Sequence, residues 1–565
     1  MRFHALATDY DETLAEHGRV ADATFAALER LRASGRAVLL VTGRDLEDLA
    51  QVCPRIDLFD AVVAENGAVL HVPSRREPRA LAEPPPRVFA ERLAARGVTP
   101  LSTGRVIVAT REPWHGVVLE AIRDLGLELQ VIFNKGAVMV LPSGTNKGTG
   151  LDVALAELGL SRLNTVGVGD AENDHVFLGR CGLGAAVANA LPTLRERADM
   201  VTAGLAGAGV RELCAGLLED DLQKRATQVR RHDIILGTDE SGGPFGVPAY
   251  GGGILFAGPS GGGKSTAAKG FIERMIAADH QVLIIDPEGD YESFERIVCL
   301  GDASRPPTVE EVLRALAAPR ADVVANLVAM PFADRPRFLA GIMPRVLEQR
   351  ARSGRPHWVV LDEAHHLAPA ANQKIALGTG LPEVVLITVL PHEVAPALLE
   401  LVGTVVAVGD DAGATLADFG KTVRAPVPPS ASRLGRGEVI AWQRGAAKAL
   451  RLKTLPTRAQ HQRHLRKYAE GQLADDRSFT FRGPDGKLKL RAHNLLQFAD
   501  LADGVDDDTW LYHLRGKEVA RWFRHEIKDD ELAAEAEAAE SLGPDESRRR
   551  IRAAIEKRYT LPPSA

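Results

Sequence analysis

The sequence predicts an α/β protein built from several domains. Short apolar strands such as AVLLV and VVLIT alternate with segments of helical spacing over most of the first 455 residues. This alternation predicts mostly parallel sheets covered by helices. Two of the strands run into polar motifs typical of phosphate binding, DYDET near the amino end and GPSGGGKST near the middle. A chain of 565 residues is also too long for one hydrophobic core, and its length predicts about three or four domains.

Breaks in the alternation predict four segments. Residues 1–218 form a first α/β domain, and a small α/β insertion interrupts it at about 75–142. A polar linker helix over 219–231 leads into a second α/β domain over 232–455. The last segment, 456–565, is charged and nearly devoid of long strands, so we expect a small, mainly helical domain whose role the sequence does not indicate.

Composition and charge argue against some classes of protein. The formal net charge of −6 gives no overall basic surface for nucleic acid, although a local basic patch stays open. The first residues lack the plan of a secretory signal, and no apolar run reaches the roughly 18 residues of a membrane span. The four cysteines lie far apart and fit a reducing compartment. We therefore expect a cytoplasmic enzyme.

Two carboxylates, Asp9 and Asp11, stand directly after the first strand. Like charges this close raise each other's proton affinity unless a cation lies between them. With Mg²⁺ present, one carboxylate can act as a nucleophile and the other as proton donor to a leaving alkoxide. The pair therefore predicts phosphate chemistry at the end of this strand.

Other polar groups fall at the ends of strands or the start of a helix. Thr42 and Gly43 follow the strand AVLLV, Lys147 opens a helix, and Asp170 and Asp174 follow the strand NTVGVG. Sheets of this class bind ligands at the carboxyl ends of their strands. Lysine can neutralise a transferring phosphoryl group, and carboxylate oxygens can hold a metal ion. The pattern predicts one phosphate and metal site.

At these motifs the chain resembles a known family. DYDET, VTGR, NKG and GDAEND resemble motifs one to four of the haloacid dehalogenase superfamily of phosphatases. ENGA and the stretch from AVANA to ADMVT resemble its Cof-type branch, in which a cap domain lies between motifs two and three. The resemblance covers about the first 215 residues, and the insertion falls where that branch carries its cap.

The resemblance implies a Rossmann-like domain with a cap and a two-step mechanism. Asp9 is then the nucleophile that forms an aspartyl-phosphate, and Asp11 is the general acid and base. Mg²⁺ is held by Asp9, by Asp170 and by the backbone of Asp11, with support from Asp174 and Asn173. The phosphate is bound by Thr42 and Lys147. In this family the cap selects the substrate, and the polar or aromatic candidates in the cap are Arg75, Arg76, Trp114, His115 and Lys135.

The second motif, GPSGGGKS, fits the pattern GxxxxGK[ST] of a phosphate-binding loop. It follows the strand GILFA and precedes a helical segment, which is the context that the pattern requires. Backbone N–H groups and the helix amino terminus then surround the phosphates of ATP. Lys264 is expected to bridge the β- and γ-phosphates and Ser265 to bind Mg²⁺. The nucleotide-binding residues are predicted to be Gly258, Gly261, Gly263, Lys264, Ser265 and Thr266.

A later strand supplies the acidic groups that such a site needs. In HWVVLDEAHHL, Asp362 is expected to support Mg²⁺, and Glu363 to polarise a water molecule. A water-activating glutamate favours hydrolysis of ATP over transfer of its phosphoryl group to another substrate. We expect both Mg²⁺ and ATP as cofactors of the chain.

This second domain also resembles a known family. The phosphate loop, IDPEGDY and DEAH resemble the HerA-like ATPases, relatives of FtsK-type DNA translocases, over about residues 232–445. That family usually carries a glutamine after the next core strand, whereas Val389 stands here, and this departure argues against vigorous DNA pumping. Arg433 and Arg436 are candidates for an arginine that acts across subunits, although a plain surface role also fits them.

The leading hypothesis is a bifunctional Mg²⁺-dependent phosphomonoester hydrolase joined to an ATPase domain that regulates or assembles it. The expected partners are ATP and a small phosphorylated substrate such as a sugar phosphate or a phosphoglycolate-like compound, with a homo-oligomer possible through the ATPase domain. The alternatives are a nucleic-acid machine, in which a DNA-translocase-like ATPase works with an end-trimming phosphatase, and a polynucleotide kinase-phosphatase. A static ATP-binding switch is a further alternative.

Overall fold

The computed structural model describes residues 1–559 except 76, 260, 293, 295–296, 372–382, 431–433, 436, 458–472, 474–477 and 528. Three of the sequence candidates, Arg76, Arg433 and Arg436, lie outside the described residues. Within the described part, every helix is too short or too polar to cross a lipid bilayer. The predicted α/β fold class, with a helical carboxyl-terminal part, is confirmed.

The first 226 residues contain two sheets and the helices that cover them. The strands are β1 Ala5–Thr8, β2 Ala37–Val41, β3 Ala61–Ala64, β4 Val69–His71, β5 Arg79–Ala80, β6 Ser102–Thr103, β7 Val108–Arg111, β8 Leu129–Asn134, β9 Ala137–Pro142, β10 Thr165–Gly169, β11 Leu183–Ala186 and β12 Met200–Val201. The helices are α1 Asp22–Ala33, α2 Leu46–Val52, α3 Arg87–Ala95, α4 His115–Asp124, α5 Lys147–Glu157, α6 His175–Arg180, α7 Pro192–Arg197, α8 Ala206–Glu219 and α9 Gln223–Ala226.

The larger of these sheets has the strand order β12-β11-β10-β1-β2-β3-β4-β5. Strands β1, β2, β3, β10, β11 and β12 run parallel, whereas β4 and β5 pair antiparallel at one edge. The central strands β1 and β3 are apolar and buried on both faces because helices cover both sides of the sheet. All the carboxyl ends of the parallel strands therefore meet at one edge.

The smaller sheet is an antiparallel cap with the order β6-β7-β9-β8. Helices α3 and α4 pack on it through a separate apolar cluster that includes Phe89, Leu93 and Val118. Strands β8 and β9 form a hairpin closed by Lys135 and Gly136, which both adopt positive φ angles of 47° and 82°. Two consecutive residues of positive φ are typical of the tightest hairpin turns. The hairpin tip is therefore narrow and well defined.

Residues 234–454 form an eleven-stranded sheet among the described residues, with the order β14-β13-β23-β22-β21-β15-β20-β19-β16-β18-β17. The strands are β13 Ile234–Asp239, β14 Pro244–Val247, β15 Gly253–Ala257, β16 Val282–Asp286, β17 Ile297–Leu300, β18 Asp322–Asn326, β19 Trp358–Leu361, β20 Val384–Thr388, β21 Val402–Ala407, β22 Glu438–Gln443 and β23 Leu450–Thr454. The helices are α10 Lys264–Ala277, α11 Val309–Leu316, α12 Arg335–Ser353, α13 Ala364–Leu367, α14 Pro396–Leu399 and α15 Ala412–Thr422.

The centre of this sheet, from β21 to β17, is parallel, and β22, β23, β13 and β14 extend it antiparallel at one side. Strand β20 lies between β15, which leads into the glycine-rich loop, and β19, which leads into Asp362. The end of β20 consequently borders both halves of the predicted ATP site.

The carboxyl-terminal part is mainly helical, as the sequence predicts. Its elements are the hairpin strands β24 Phe479–Phe481 and β25 Leu490–Ala492, followed by α16 Leu495–Gly504, α17 Asp507–Arg515, α18 Glu518–His525, α19 Asp530–Ala538 and α20 Pro544–Tyr559. Its aromatic residues Trp510, Trp522 and Phe523 are buried in one apolar cluster. They form the core of this part.

The predicted linker helix over 219–231 differs from the structure. Helix α8 ends at Glu219, and only the four residues of α9 are helical beyond it. Asp221 and Leu222 adopt positive φ, which interrupts the helix. The Asp221 carboxylate accepts a hydrogen bond from Arg36, and this long-range contact holds the turn in place. Arg231 pairs with Asp199, so the linker is bound to the first domain.

Candidate active sites

The predicted phosphatase residues meet at the carboxyl edge of the first sheet. Asp9 follows β1, Thr42 follows β2 and Asp170 follows β10. Lys147 is the first residue of α5, whose start is fixed by a reciprocal capping box between Asn146 and Thr149. The parallel topology therefore brings together groups that are up to 161 residues apart in the sequence.

Three buried carboxylates form the centre of this site. Carboxylate oxygens of Asp9, Asp170 and Asp174 lie within 4.8 Å of one another. Lys147 is almost completely buried, and its Nζ donates to Asp9 Oδ1 and to Asp174 Oδ1, both at 2.6 Å. Asp174 Oδ2 in turn accepts the backbone N–H groups of Asp170 and Ala171 at 2.8 and 2.9 Å. These contacts fix both the nucleophile candidate and its neighbours.

The electrostatics of this cluster are unfavourable for three bare carboxylates. Burial, with the nearby Asp174 and Asp170, raises the pKa of Asp9 to about 7 although Lys147 opposes the shift. Burial also raises the pKa of Asp170. The pKa of Lys147 is raised despite burial, because Asp174 and Asp9 stabilise its charged form. A divalent cation would relieve the excess negative charge.

The donor set fits Mg²⁺. Asp9, Asp170 and Asp174 offer hard carboxylate oxygens from one buried wall, which is the ligand type that Mg²⁺ prefers. The Asp11 side chain is not in this cluster. Its carboxylate instead receives two hydrogen bonds from the Arg44 guanidinium, at 2.8 and 2.7 Å. Asn173 donates to Asn66 Oδ1 at 3.0 Å, beside the same edge.

The predicted phosphate-binding residues lie on the loop after β2. Thr42 is completely buried, and its Oγ1 accepts the backbone N–H of Arg44 at 3.1 Å. A Cβ on Gly43 would lie 3.7 Å from Met139 Sδ of the cap and 3.8 Å from Asn173 Nδ2. The loop is therefore enclosed between the first sheet and strand β9. Arg44, which the motif contains but the site prediction omitted, holds both Asp11 and Asp48.

Two contacts join the cap to the first sheet and its site. The buried carboxylate of Glu65, which follows β3, accepts three backbone N–H groups of the cap, those of Arg105, Val106 and Ile107, at 2.7 to 2.8 Å. Lys135, at the tip of the β8–β9 hairpin, donates to Asp170 Oδ2 at 2.6 Å. The Glu65 contact was not predicted, because its backbone partners have no residue signature in the sequence.

The other described cap candidates have partners elsewhere. Trp114 Nε1 donates to the backbone oxygen of Thr99, and His115 pairs with Glu112. Arg75 pairs with Glu157 at the end of α5. Of the cap candidates that the structure describes, only Lys135 contacts a member of the carboxylate cluster.

The glycine-rich loop has the conformation that a phosphate cradle requires. Gly258 has a φ of 142°, and a Cβ there would lie 2.3 Å from the backbone oxygen of Val408, so only glycine fits. Gly261 and Gly263 also have positive φ, and Gly263 precedes the first residue of α10. Lys264 is 6% exposed and donates to the backbone oxygen of Pro259 at 3.1 Å. Ser265 and Thr266 belong to the first turn of α10.

Acidic residues line the neighbouring strand ends. Asp362 is buried, and its pKa is raised well above the ordinary value by burial and by Asp286 and Asp290. Burial, with Asp290, raises the pKa of Asp286 to about 7. The pKa of Glu363 is also raised, by burial and by Glu288. This concentration of acid beside Lys264 fits a site that takes a Mg²⁺–nucleotide complex.

Glu363 has unusual backbone geometry and a side-chain neighbour that was not predicted as functional. Its φ and ψ of 44° and 53° lie in the left-handed region, which is rarely adopted by side-chain-bearing residues. His365 Nδ1 lies 3.5 Å from Glu363 Oε2 and 3.0 Å from Thr388 Oγ1. Thr388 ends β20, immediately before Val389. A polar connection therefore runs from the end of β20 to Glu363.

The fold and the two sites define a phosphomonoester hydrolase joined to a P-loop ATPase domain. The chain belongs to the haloacid dehalogenase-like hydrolase family, whose model matches residues 6–78 and 119–213. The model of the helicase HerA central domain matches residues 254–384. Both resemblances inferred from the sequence are confirmed.

Curated relatives cover the phosphatase part. A phosphoglycolate phosphatase of Methanothermobacter thermautotrophicus is 34% identical over 220 residues, which are 37% of this chain and 96% of the relative. A phosphoglycolate phosphatase of Haloarcula marismortui is 30% identical over 220 residues, 37% of this chain and 95% of the relative. A solved haloacid dehalogenase-like hydrolase from Bacteroides thetaiotaomicron aligns with 38% of this chain and 99% of its own, at 17% identity and a TM-score of 0.33.

Proposed function

We propose that the chain is a Mg²⁺-dependent phosphomonoesterase that works through an aspartyl-phosphate on Asp9 and is regulated by ATP. The observation that carries the phosphatase proposal is the buried cluster of Asp9, Asp170 and Asp174 bridged by Lys147. Bound there by the three carboxylates, Mg²⁺ would neutralise charge on the phosphoryl group. Thr42 and the backbone of Gly43 border the space for the phosphoryl oxygens.

The proposed reaction has two steps. Asp9, held by Lys147, attacks the phosphorus, and the bond between phosphorus and the leaving oxygen breaks while Asp11 supplies a proton to that oxygen. Water then attacks the phosphorus of the aspartyl-phosphate and gives a proton to Asp11. The bond between phosphorus and the Asp9 oxygen breaks, inorganic phosphate leaves, and the Asp9 carboxylate is regenerated. Arg44 holds the Asp11 carboxylate beside the site, so Asp11 must exchange this partner for the leaving-group oxygen during the first step.

The names of the curated relatives support a particular class of substrate. Two relatives that match this chain over 96% and 95% of their own length are named phosphoglycolate phosphatases. A Cβ on Gly43 would also lie 3.7 Å from Met139 Sδ of the cap strand β9, and this enclosure of the phosphate loop favours a small substrate. We propose a small phosphorylated metabolite of the phosphoglycolate or sugar phosphate type.

The contacts between the two α/β parts support regulation rather than transfer of a substrate between them. His357, which precedes β19, has its Nε2 2.9 Å from Oδ1 of Asn164, which precedes β10. Gln281 N–H donates to His357 Nδ1, so Nε2 carries the proton and donates to Asn164. Asp362 and Asp170 directly follow these two strands, each about 15–20 Å from this contact by the usual rise of a strand. The contact therefore joins the amino ends of β10 and β19, and the two sites lie at the carboxyl ends of these strands.

A direct assay tests the proposed function. Phosphate release from 2-phosphoglycolate, sugar phosphates and p-nitrophenyl phosphate is measured with Mg²⁺, with EDTA, and with and without ATP. We expect EDTA to abolish hydrolysis, and ATP to change kcat or KM for the small substrate severalfold. Hydrolysis that persists in EDTA would contradict the metal proposal. An identical rate with and without ATP would contradict regulation and leave the phosphatase proposal standing.

The junction itself makes a separate prediction. Asn164→Ala removes the acceptor for the buried His357 N–H, and we expect it to lower the free energy of unfolding by about 1–3 kcal/mol. It should also reduce the effect of ATP on phosphatase activity. Arg162→Gln is the matched control, since Arg162 pairs with Asp279 at the exposed rim of the same junction and should cost less than about 1 kcal/mol. Equal effects of the two variants on ATP sensitivity would contradict a role for the buried contact.

A further inference from the structure

The cap lysine, Lys135, has features that set it apart from the other cations of the phosphatase site. Its Nζ contacts Asp170 at 2.6 Å, yet 39% of its side chain is exposed, whereas Asp170 is 3% exposed. The residue sits at a two-residue hairpin turn whose backbone is held by the β8–β9 pairing. A long flexible side chain is thus anchored on the cap and directed toward the reaction centre.

Two other cations of this site, among the residues that the structure describes, are already engaged by carboxylates. Lys147 is 1% exposed and bridges Asp9 and Asp174. Arg44 pairs with Asp11 and Asp48. Lys135 comes from the opposite side, and among these three cations it is the most exposed. It is therefore the one that can exchange its carboxylate partner for a group on a bound substrate.

We propose that Lys135 is the specificity residue that binds a carboxylate on the substrate, next to the phosphoryl group. This inference rests on the proposed phosphatase function and deepens it. When the phosphoryl group of a small phosphomonoester lies against Asp9, the rest of the molecule extends from the first sheet toward the cap, where the hairpin tip stands. A carboxylate one carbon from the ester oxygen, as in 2-phosphoglycolate, then offers Nζ the same kind of partner as Asp170 does.

The charge balance favours this selection. Asp9, Asp170 and Asp174 surround the phosphoryl position, so a substrate carboxylate near them is repelled unless a cation faces it. Lys135 supplies that cation, and Lys147 keeps its ion pair with the nucleophile Asp9. A neutral hydroxymethyl group in place of the carboxylate gains little from the ammonium group. The enzyme should therefore prefer a carboxylated phosphomonoester to the analogue with a hydroxymethyl group.

The test compares 2-phosphoglycolate with 2-hydroxyethyl phosphate, which has the same carbon skeleton and carries a hydroxymethyl group in place of the carboxylate. We expect the wild-type chain to prefer 2-phosphoglycolate, and Lys135→Gln to lower the ratio of the two kcat/KM values by about 10–100-fold, mainly through KM. Lys135→Arg should restore part of the ratio because it keeps the charge. Arg123→Gln is the control, since this exposed cap arginine pairs only with its neighbour Asp124 among the described residues.

A binding measurement removes catalysis from the comparison. In the Asp9→Asn background, calorimetric affinity for 2-phosphoglycolate should fall about 10–100-fold on adding Lys135→Gln, and affinity for 2-hydroxyethyl phosphate should fall much less. Circular dichroism and thermal unfolding check that each variant is folded.

Three outcomes overturn the proposal. If Lys135→Gln lowers kcat/KM equally for 2-phosphoglycolate and 2-hydroxyethyl phosphate, Lys135 does not recognise the carboxylate. The proposed phosphatase function then stands, and the specificity role of Lys135 is excluded. If the wild-type chain hydrolyses p-nitrophenyl phosphate but does not prefer the carboxylated substrate, the substrate class is wrong. If it hydrolyses none of the three with Mg²⁺, the proposed function fails as well.

Discussion

Asp9→Asn is expected to lower kcat for phosphomonoester hydrolysis by roughly 10⁴–10⁶-fold, the scale seen when an enzyme loses its covalent nucleophile. The amide preserves the shape of the side chain but cannot attack phosphorus. It also removes one of the two carboxylates that hold Lys147, whose Nζ lies 2.6 Å from Asp9 Oδ1. The measurement is phosphate release from the best substrate with saturating Mg²⁺.

This variant should leave the second site unaffected. ATP hydrolysis is expected to change less than about twofold, because Asp9 and Lys264 follow the carboxyl ends of strands in two different sheets. Asp57→Asn, which alters an exposed carboxylate of the same domain, is the matched control and should retain full phosphatase activity. Turnover above about one per cent of wild type in purified Asp9→Asn would rule out Asp9 as the nucleophile.

The phosphatase motifs could be predicted because each is a local signal at a strand end. Parallel topology then requires the groups after β1, β2 and β10 to share one edge, so Asp9, Thr42 and Asp170 could be expected to meet. The position of the Asp11 side chain could not be predicted in the same way. Its carboxylate faces Arg44 in the structure, and the choice between this partner and the metal cluster depends on side-chain geometry.

Contacts across separately folded parts have no sequence signal. Lys135 reaches Asp170 because a tight hairpin places its tip over the first sheet, and the spacing of charges in the sequence does not encode that reach. Asn164 and His357 are 193 residues apart and belong to different sheets. The sequence singled out Lys135 as one of five cap candidates but did not predict its partner, and it gave no signal for the contact between Asn164 and His357.

In the ATP site, too, the sequence predicted the local motifs but not the contacts between distant segments. The loop glycines were predictable because GxxxxGK[ST] requires positive φ at particular positions, and Gly258, Gly261 and Gly263 have it. The departure at Val389 was also visible, but the polar connection from Thr388 through His365 to Glu363 was not. It depends on β20 lying between β15 and β19, which is a property of the strand order.

Lys264→Ala is expected to lower the rate of ATP hydrolysis by at least about 10²-fold, because it removes the cation that faces the β- and γ-phosphates. Lys264 is nearly buried and lies at the start of α10, where backbone N–H groups point into the loop. The remaining acids, Asp286, Asp362 and Glu363, would then face the nucleotide without this compensation, so nucleotide affinity should fall as well. ATP turnover and nucleotide binding are measured on the same preparation.

The same variant separates the two activities. We expect Lys264→Ala to keep its basal phosphatase activity and to lose the change in activity that ATP produces in the wild-type chain. Lys421→Ala, which removes an exposed lysine from the last turn of α15, should retain both ATP hydrolysis and the ATP effect. Undiminished hydrolysis in Lys264→Ala would exclude this loop as the ATPase site. If nucleotide binding at the loop is lost and ATP still changes the phosphatase activity, ATP acts by binding elsewhere, and regulation through this loop is excluded.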